Sequence, residues 1–342
     1  MRIVHAIRSD GFAGVERHVA RLAGEQARRG DTVLVVGGRQ EAMAAALEHT
    51  GVRRLPAART IDVARAIRSA CRAADVVHTH MTAAEVGATL AGASIRRLPP
   101  VVTTRHFAGP RGSGPSSALV AAVGRHRVDV QIAISRYVAE SVDGPSVVVH
   151  PGVLDQPAGL SVSDRRRTIV MLQRLEPEKR TGAGMHAFAA SGLAAHGWSL
   201  EIAGDGSERG ELEVLAGQLG IATAVTFLGH QRDTEPLLRT ASILLAPCDV
   251  EGLGLSVLEA MSYGLPVVAS AAGGHLETLE GLDPLALFPP GDVESAGTRL
   301  RSLARDPSRR EAYASAARSA QRTRFTVEAQ ASATAAVYRS VL

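Results

Sequence analysis

Hydrophobic and polar positions follow two patterns along the chain. Short apolar runs such as 2–6 and 32–36 predict buried strands, whereas 15–29, with an apolar residue at every third or fourth position, predicts an amphipathic helix. The alternation continues, which favours parallel sheets covered on both faces. Further predicted strands are 76–79, 101–104, 130–134, 147–149, 168–172, 199–203, 225–228, 242–246 and 267–269. Further predicted helices are 41–49, 61–72, 117–125, 182–191, 209–219, 233–240, one beginning near 253–255, and 293–342 with a break near 323–326.

A stretch rich in proline and glycine, 151–164, interrupts the alternation and predicts a linker. At 342 residues, two domains are expected. We therefore predict an α/β protein with two Rossmann-like, doubly wound domains facing a cleft, where ligands bind at the carboxyl ends of the strands. The predicted parts are an N-terminal domain at 1–155, a C-terminal domain at 165–320 and a terminal helix at 321–342 that packs back on the first domain.

The segment 251–270, EGLGLSVLEAMSYGLPVVAS, combines a glycine turn, a helix and a strand. Its helix ends near Gly264, and its first turn presents unpaired N–H groups that favour a phosphate. Glu251 precedes this turn and Glu259 lies within the helix. Eight helical residues span about 12 Å, so the two carboxylates could contact opposite ends of a diphosphate-bridged ligand but could not share a proton.

Composition indicates a soluble cytoplasmic protein, with 45% hydrophobic and 21% charged residues. The sequence has neither an apolar run of about 18 residues nor a signal-peptide pattern at Met1. Cys71 and Cys248 form no CxxC pair, which argues against a disulfide framework or a zinc site.

Of 38 lysine and arginine residues, only Lys179 is a lysine, which makes it a candidate for a role that arginine cannot fill. Residues 1–160 contain 20 arginines and 13 acidic residues, net +7, whereas 161–342 contain 18 basic and 21 acidic residues, net −3. The first half is therefore expected to face a phosphorylated acceptor or an anionic membrane surface, with Arg96, Arg97 and Arg111 as candidates. Dispersed arginines and 3% aromatic residues argue against nucleic acid.

Two cations, Arg174 and Lys179, follow the predicted strand 168–172. Such a pair can neutralise a diphosphate without a metal, because arginine offers a planar fork and lysine a point charge. His78 and His80 have strand spacing and share a face, where they could bind a metal. No third ligand is evident nearby, so we assign them a structural role and predict no metal site.

Motifs in both halves, covering nearly the full length, resemble those of the retaining GT-B glycosyltransferases of glycosyltransferase family 4. In the C-terminal half they are Arg174 with Lys179, AGDGSERGELE at 203–213, FLGH at 227–230, the segment 251–270 and GGHLE at 273–277. In the N-terminal half they are Ala13 with Gly14, DVVHTH at 75–80, TTRH at 103–106 and AISRYVAE at 133–140. Gln173 and Arg180 stand where the family has glycines before Arg174 and after Lys179, which predicts a loop of different shape.

The resemblance implies a metal-independent enzyme without a cofactor, whose donor substrate is a nucleoside-diphosphate sugar. It assigns the donor diphosphate to Arg174 and Lys179, the sugar hydroxyls to Glu251 and the ribose hydroxyls to Glu259. It places the N–H groups of Gly252, Leu253, Gly254 and Leu255 at the β-phosphate. It also implies that Gly14 lets its loop approach the diphosphate, that His106 lies near the sugar C6 hydroxyl, and that Gly204 and His230 line the donor pocket.

Three functions stay open at this point. The first is transfer of a sugar to a small, phosphorylated or lipid-linked acceptor, with peripheral contact to an anionic membrane. The second is a nucleotide-sugar 2-epimerase, which would need extra carboxylates at the sugar. The third is a non-catalytic sugar-nucleotide-binding partner, against which the intact Arg174, Lys179, Glu251, Glu259 and His106 argue. Nicotinamide binding is not predicted, because the glycines at 204–210 do not form GxGxxG.

Overall fold

A computed structural model describes residues 1–93, 95, 98–112, 117–157 and 160–342. The described chain divides into two compact units. The N-terminal unit comprises Met1–Gly152 and Val327–Leu342, and the C-terminal unit comprises Val153–Thr326. Residues 94, 96, 97, 113–116, 158 and 159, which include two of the candidate arginines and part of the predicted linker, lie outside the described residues.

The N-terminal unit is built around a parallel sheet with the strand order β3-β2-β1-β4-β5-β6-β7. Its strands are β1 (Arg2–Ile7), β2 (Thr32–Gly37), β3 (Arg53–Leu55), β4 (Val76–His80), β5 (Val101–Arg105), β6 (Val130–Ala133) and β7 (Val147–Val148). Its first helices are α1 (Gly14–Arg28), α2 (Gln40–Ala46), α3 (Thr60–Ala70), α4 (Thr82–Gly92), α5 (Ser117–Arg125) and α6 (Arg136–Ser141).

The C-terminal unit contains a second parallel sheet with the order β10-β9-β8-β11-β12-β13. Its strands are β8 (Thr168–Leu172), β9 (Ser199–Ala203), β10 (Val225–Gly229), β11 (Ile243–Ala246), β12 (Val267–Ser270) and β13 (Leu287–Phe288). Its helices are α7 (Thr181–Ser191), α8 (Arg209–Gln218), α9 (Glu235–Thr240), α10 (Leu255–Ser262), α11 (His275–Thr278), α12 (Val293–Arg305) and α13 (Pro307–Arg324). These two sheets confirm the predicted α/β class with doubly wound parallel sheets.

The last helix, α14 (Val327–Arg339), returns to the N-terminal unit and packs against α1. Its Tyr338 is fully buried, and the Gln26 Nε2 donates to the Tyr338 hydroxyl at 3.3 Å. The turn at Phe325–Thr326 separates α13 from α14, so the returning helix begins a few residues later than 321. Among the described residues, no helix has the length and apolar content needed to cross a bilayer.

Two central strands of the N-terminal sheet bury polar side chains. All five residues of β4, VVHTH, and all five of β5 are buried. Pairing of β1 with β4 places His5 beside His78 and Ile7 beside His80. Since the carboxyl ends of parallel strands meet at one edge of a sheet, this register brings histidines from different strands together.

The pattern failed to predict α4, whose sequence TAAEVGATLAG contains only two large apolar residues. Small residues suit this helix because it packs closely: a Cβ on Gly87 would lie 3.0 Å from the Val63 Cγ1. The 3.6-residue period of large apolar side chains is too weak here to identify a helix.

Candidate functional site

A lysine and a glutamate meet at the carboxyl edge of the second sheet. Lys179 follows β8 and Glu251 follows the neighbouring strand β11. The Lys179 Nζ lies 2.6 Å from the Glu251 Oε2, and the two side chains are 17% and 25% exposed. The chain's single lysine and the first glutamate of the segment 251–270 therefore form a partly buried ion pair.

The electrostatics of this pair keep Glu251 ionised. Burial raises the pKa of the Glu251 carboxyl, but the Lys179 ammonium, its hydrogen bond and the Gly252 N–H together hold that pKa below its ordinary value. Burial lowers the pKa of the neighbouring His275. An ammonium has three donors, so Lys179 can bind Glu251 and a second anion such as a phosphate oxygen at once.

The glycine turn between Glu251 and α10 is buried, and Gly273 and Gly274 pack against one side of it. Gly254, in the left-handed region at φ 91°, is the N-cap of α10. The Gly274 N–H donates to the Glu251 carbonyl at 2.8 Å, and the Thr278 hydroxyl donates to the Leu253 carbonyl at 2.7 Å. The turn is thus fixed by Gly274 of the GGHLE segment and by Thr278, neither of which was among the predicted site residues.

The loop that carries Lys179 is closed by Gln173. The Gln173 Nε2 donates to the Lys179 carbonyl at 3.0 Å and to the Thr181 hydroxyl at 2.9 Å. Lys179 ends a short 3₁₀ turn, Pro177–Lys179, and Arg180 then adopts φ 54° and ψ 38°. This left-handed conformation favours glycine, the residue that the family resemblance places there. Gln173 therefore shapes the loop, whereas Arg180 occupies a backbone conformation that glycine adopts more readily.

The loop after β9 braces the loop after β8. A Cβ on Gly204 would lie 1.8 Å from the Gln173 carbonyl oxygen, and one on Gly206 would lie 2.3 Å from the Leu175 carbonyl oxygen. The Leu175 N–H also donates to the Asp205 carbonyl at 3.0 Å. These close approaches explain the glycines of AGDGSERGELE by backbone packing. The assignment of Gly204 to a donor pocket stays a prediction.

The remaining predicted residues of this unit lie around the turn. Arg174 is exposed and its guanidinium donates to the Glu178 carboxylate at 2.6 Å, so it is engaged separately from the Lys179–Glu251 pair. Helix α10 begins at Leu255, so Glu259 is the fifth residue of the helix, and its side chain is half-buried. Only part of the chain between Glu251 and Glu259 is therefore helical, and the rest is turn. His230 is exposed one residue after β10.

In the N-terminal unit, Gly14 is the first residue of α1, and His106 immediately follows β5. The contacts proposed for them with a donor stay predictions. The expectation that His78 and His80 have no further metal-ligating residue nearby is wrong. Ring nitrogens of His5, His78 and His80 lie within 4.8 Å of one another, as do those of His18, His80 and His106. Strand register and the first turn of α1 create this five-histidine cluster, which local spacing could not indicate.

Burial lowers the pKa of each histidine in the cluster, that of His5 to about 4 and that of His106 to about 3. All five are therefore neutral at pH 7 when folded.

We expect the N-terminal unit to lose stability as the pH falls from about 6.5 towards 3. The ordinary histidine pKa is 6.5, so the unfolded chain binds more protons than the folded chain over this window. The melting temperature, measured by calorimetry across this window, should decline as the pH falls, and the decline should be shallower in His5→Gln. A comparison of the two proteins above pH 7.5 corrects for any difference in packing. An equal slope in His5→Gln and the unsubstituted chain would contradict this account.

Arg111, one of the three arginines expected to attract an anionic acceptor, is buried and forms ion pairs inside the N-terminal unit. Arg111 is 2% exposed, and its guanidinium lies 2.6 Å from the Glu85 carboxylate and 2.7 Å from the Asp143 carboxylate. Its Nη2 also donates to the Gln131 Oε1. Arg111 is thus neutralised by the buried Glu85 and the partly exposed Asp143 carboxylates and is not a surface site for an anion.

Family comparisons match the two parts of the chain separately. Residues 12–155 match the family described as Glycosyltransferase Family 4, and residues 155–320 match Glycosyl transferases group 1. Among curated relatives, a glycogen synthase of Mycobacterium tuberculosis is 32% identical over 50% of this chain and 42% of its own length. A lipopolysaccharide core biosynthesis mannosyltransferase, LpsB, of Rhizobium meliloti is 26% identical over 63% of this chain and 67% of its own length. An exopolysaccharide phosphotransferase of Streptomyces coelicolor is matched over only 17% of its length.

Solved structures give the same architecture over the whole chain. Anabaena Alr3699/HepE in complex with UDP-glucose has a TM-score of 0.80, with 21% identity over 99% of this chain and 100% of that chain. A sucrose-phosphate synthase from Thermosynechococcus elongatus has a TM-score of 0.79, with 18% identity over 99% of both chains. These similarities establish the GT-B fold. The two halves of the chain each match a family model described as a glycosyltransferase.

Proposed function

We propose that this chain, which has the GT-B fold, is a glycosyltransferase that transfers a sugar from a nucleoside-diphosphate sugar to an acceptor hydroxyl, with retention of the anomeric configuration and without a metal. The observation that carries the proposal is the Lys179–Glu251 ion pair, 2.6 Å long, beside the N-terminus of α10. It combines a cation, a carboxylate and the positive end of a helix at one sheet edge. A sugar diphosphate needs these three features, because it carries both hydroxyls and phosphates.

Departure of the nucleoside diphosphate builds negative charge on the β-phosphate. Lys179 and the first N–H groups of α10 would stabilise this charge more in the transition state than in the ground state. Glu251, held ionised, would accept hydrogen bonds from hydroxyls of the transferred sugar. The leaving phosphate oxygen would take the proton of the acceptor on the same face of the sugar, so that no separate base is required and the configuration is retained.

The finer assignments remain part of the proposal. Arg174 would leave its exposed pair with Glu178 to bind the diphosphate, and Glu259 would accept hydrogen bonds from the ribose. The acceptor is proposed to be small, phosphorylated or lipid-linked. Because Arg111 is internally paired, selectivity for an anionic acceptor would need other residues of the N-terminal unit.

A thermal-shift screen tests donor binding. We expect one or more nucleotide sugars to raise the melting temperature, since a ligand at 100 times its Kd stabilises the folded state by about 2.7 kcal/mol. The panel begins with UDP-glucose, which is bound in the Anabaena structure, and includes GDP- and ADP-linked sugars. Lys179→Ala is the matched control and should weaken the shift by each active compound.

Transfer is then followed with the compound that binds. Retention predicts a product of unchanged anomeric configuration by NMR, and metal independence predicts unchanged turnover in EDTA. An inverted product or loss of turnover in EDTA would contradict those two parts separately. Interconversion of the donor with its 2-epimer, without transfer, would favour the epimerase.

A further inference from the structure

A second ion pair joins the two loops that carry Lys179 and Glu251. Arg180, the residue after Lys179, donates from its Nη1 to the Asp249 Oδ2, and Asp249 lies two positions before Glu251. The Ser270 hydroxyl donates to the other carboxylate oxygen, the Asp249 Oδ1, at 2.5 Å. Ser270 is fully buried. We name Arg180, Asp249 and Ser270 the loop clamp.

The loop clamp connects the carboxyl ends of three neighbouring strands. Strand β11 lies between β8 and β12 in the sheet. Arg180 follows β8, Asp249 follows β11 and Ser270 is the last residue of β12. The Asp249 side chain is 16% exposed and accepts a hydrogen bond from each neighbouring strand end. A buried donor at Ser270 therefore fixes the carboxylate that binds Arg180.

Stability alone does not account for an arginine at position 180. Its backbone has φ 54° and ψ 38°, a left-handed conformation that is unfavourable for residues other than glycine. The Arg180 side chain is 45% exposed, and an ion pair with an exposed partner contributes little to the free energy of unfolding. The pair therefore offsets little of the unfavourable backbone energy. What it does fix is the loop position of the adjacent Lys179, whose Nζ lies 2.6 Å from the Glu251 carboxylate.

Arg180 could instead bind a phosphate directly, as a second cation beside Lys179. Its guanidinium, however, is already paired with a carboxylate that a buried hydroxyl holds in place. The two roles predict opposite effects of neutralising Asp249. If Arg180 were a phosphate ligand, release from Asp249 would strengthen its attraction for an anionic donor. If Arg180 positions the loop, the same change would loosen the loop and lower turnover.

We propose that Arg180 and Asp249 are positioning residues, which hold the Lys179 ammonium against Glu251 by connecting the loop after β8 to the loop after β11. Gln173 fixes the first of these loops internally, through the Lys179 carbonyl. The Arg180–Asp249 pair adds the connection between the loops, so that the ammonium is ordered before a ligand binds. The proposal rests on the proposed glycosyl transfer only for its consequence for turnover.

The single lysine of the chain allows a test without a substrate. With lysine labelled with carbon-13 at Cε, NMR of the full chain should show one lysine side-chain resonance, that of Lys179. Its two ε protons should be inequivalent in the unsubstituted chain, because the side chain is fixed. They should become equivalent in Asp249→Asn and in Arg180→Gly, since each variant removes one end of the connection. Inequivalent ε protons in both variants would overturn the proposal.

Asp283→Asn is the matched control. Asp283 is 14% exposed and lies 2.8 Å from Arg309, which is 39% exposed, so this pair in the same unit resembles Arg180–Asp249 in burial. We expect the control to keep the Lys179 resonance and the kcat of the unsubstituted chain. If Asp283→Asn altered the Lys179 protons as much as Asp249→Asn does, the change would reflect general loosening of the unit, and the proposal would be wrong.

Turnover is measured with the nucleotide sugar that gives the largest thermal shift among UDP-, GDP- and ADP-linked sugars. Asp249→Asn and Arg180→Gly should each lower kcat about tenfold and change the donor KM by less than about threefold, because a displaced Lys179 stabilises the transition state less. The double variant should lose no more than Arg180→Gly alone, since the two residues act through one contact.

Two kinetic results would overturn the positioning role. One is a lower donor KM in Asp249→Asn, which would identify Arg180 as a phosphate ligand. The other is an unchanged kcat in both variants although the Lys179 ε protons have become equivalent. If no nucleotide sugar were turned over by the unsubstituted chain but the ε protons changed as expected, the positioning of Lys179 would stand and the proposed function alone would fail.

Discussion

Replacing Lys179 by alanine should lower kcat/KM for transfer at least about tenfold, equivalent to about 1.4 kcal/mol or more of lost transition-state stabilisation. The substitution removes the cation proposed to bind the leaving diphosphate. It also leaves the Glu251 carboxylate, which is only 25% exposed, without its partner at 2.6 Å. Glu251→Ala should cause a loss of similar size, because Lys179 loses the group that orients it. Initial rates over a range of donor concentrations measure both effects.

The Lys179→Arg variant asks whether the single lysine was retained for its chemistry. An arginine keeps the charge, but its planar guanidinium cannot replace a compact ammonium between a carboxylate and a phosphate. We expect this variant also to lose about tenfold. Arg239→Ala, which breaks an exposed ion pair with Glu235 in the same unit, is the control and should retain full activity. Full activity in Lys179→Arg would mean that the lysine survived by chance, and unchanged turnover in both alanine variants would refute the site.

The predicted fold was accurate where local pattern determines structure. In the C-terminal unit, the helix after Glu251 and the strand after Gly264 were predicted from the glycines at their ends and from the spacing of apolar residues. The pairing of Lys179 with Glu251 was accessible only indirectly, because their strands are adjacent in the sheet but 72 positions separate the residues. Strand order cannot be read from periodicity, so the family resemblance supplied what the pattern could not.

The histidine cluster shows the same limit more sharply. His78 and His80 were visible as a pair, yet His5 and His106 join them through the parallel pairing of β1, β4 and β5. His18 joins from the first turns of α1, with its ring 4.7 Å from that of His106. A signal was present, since histidines occur in or directly after three predicted strands. Only the register, however, establishes that they meet.

Arg111 was misassigned for a related reason. The net charge of +7 is a sum over residues 1–160 and does not show which of the charged side chains lie on the surface. Burial of Arg111 against Glu85 and Asp143 removes it from that surface, because the three charges satisfy one another inside the unit. Net charge of a segment therefore cannot identify which arginines are available to a ligand.

Gly274→Ala should destabilise the turn between Glu251 and α10 by steric overlap alone. The new Cβ would lie 2.3 Å from the Gly252 carbonyl oxygen and 2.4 Å from the Leu253 Cα, both of which are backbone atoms in a buried turn. Gly274 has φ −69°, so alanine is compatible with the local backbone and the effect is purely steric. We expect a loss of stability of about 1–3 kcal/mol from overpacking. Displacement of the turn should also reduce transfer by more than about tenfold, because it moves Glu251 and the first N–H groups of α10 together.

Gly217→Ala separates this steric effect from the general consequence of replacing a glycine. Gly217 lies in α8 of the same unit, and a Cβ there would meet no atom within 4 Å. Alanine is favoured over glycine in a helix by up to about 1 kcal/mol, so this variant should be as stable as the unsubstituted chain or more so, with unchanged kcat/KM. Urea unfolding and initial rates measured side by side provide the comparison. If Gly274→Ala matched Gly217→Ala in both, the turn would tolerate a shift, and its close packing against GGHLE would not be what positions Glu251.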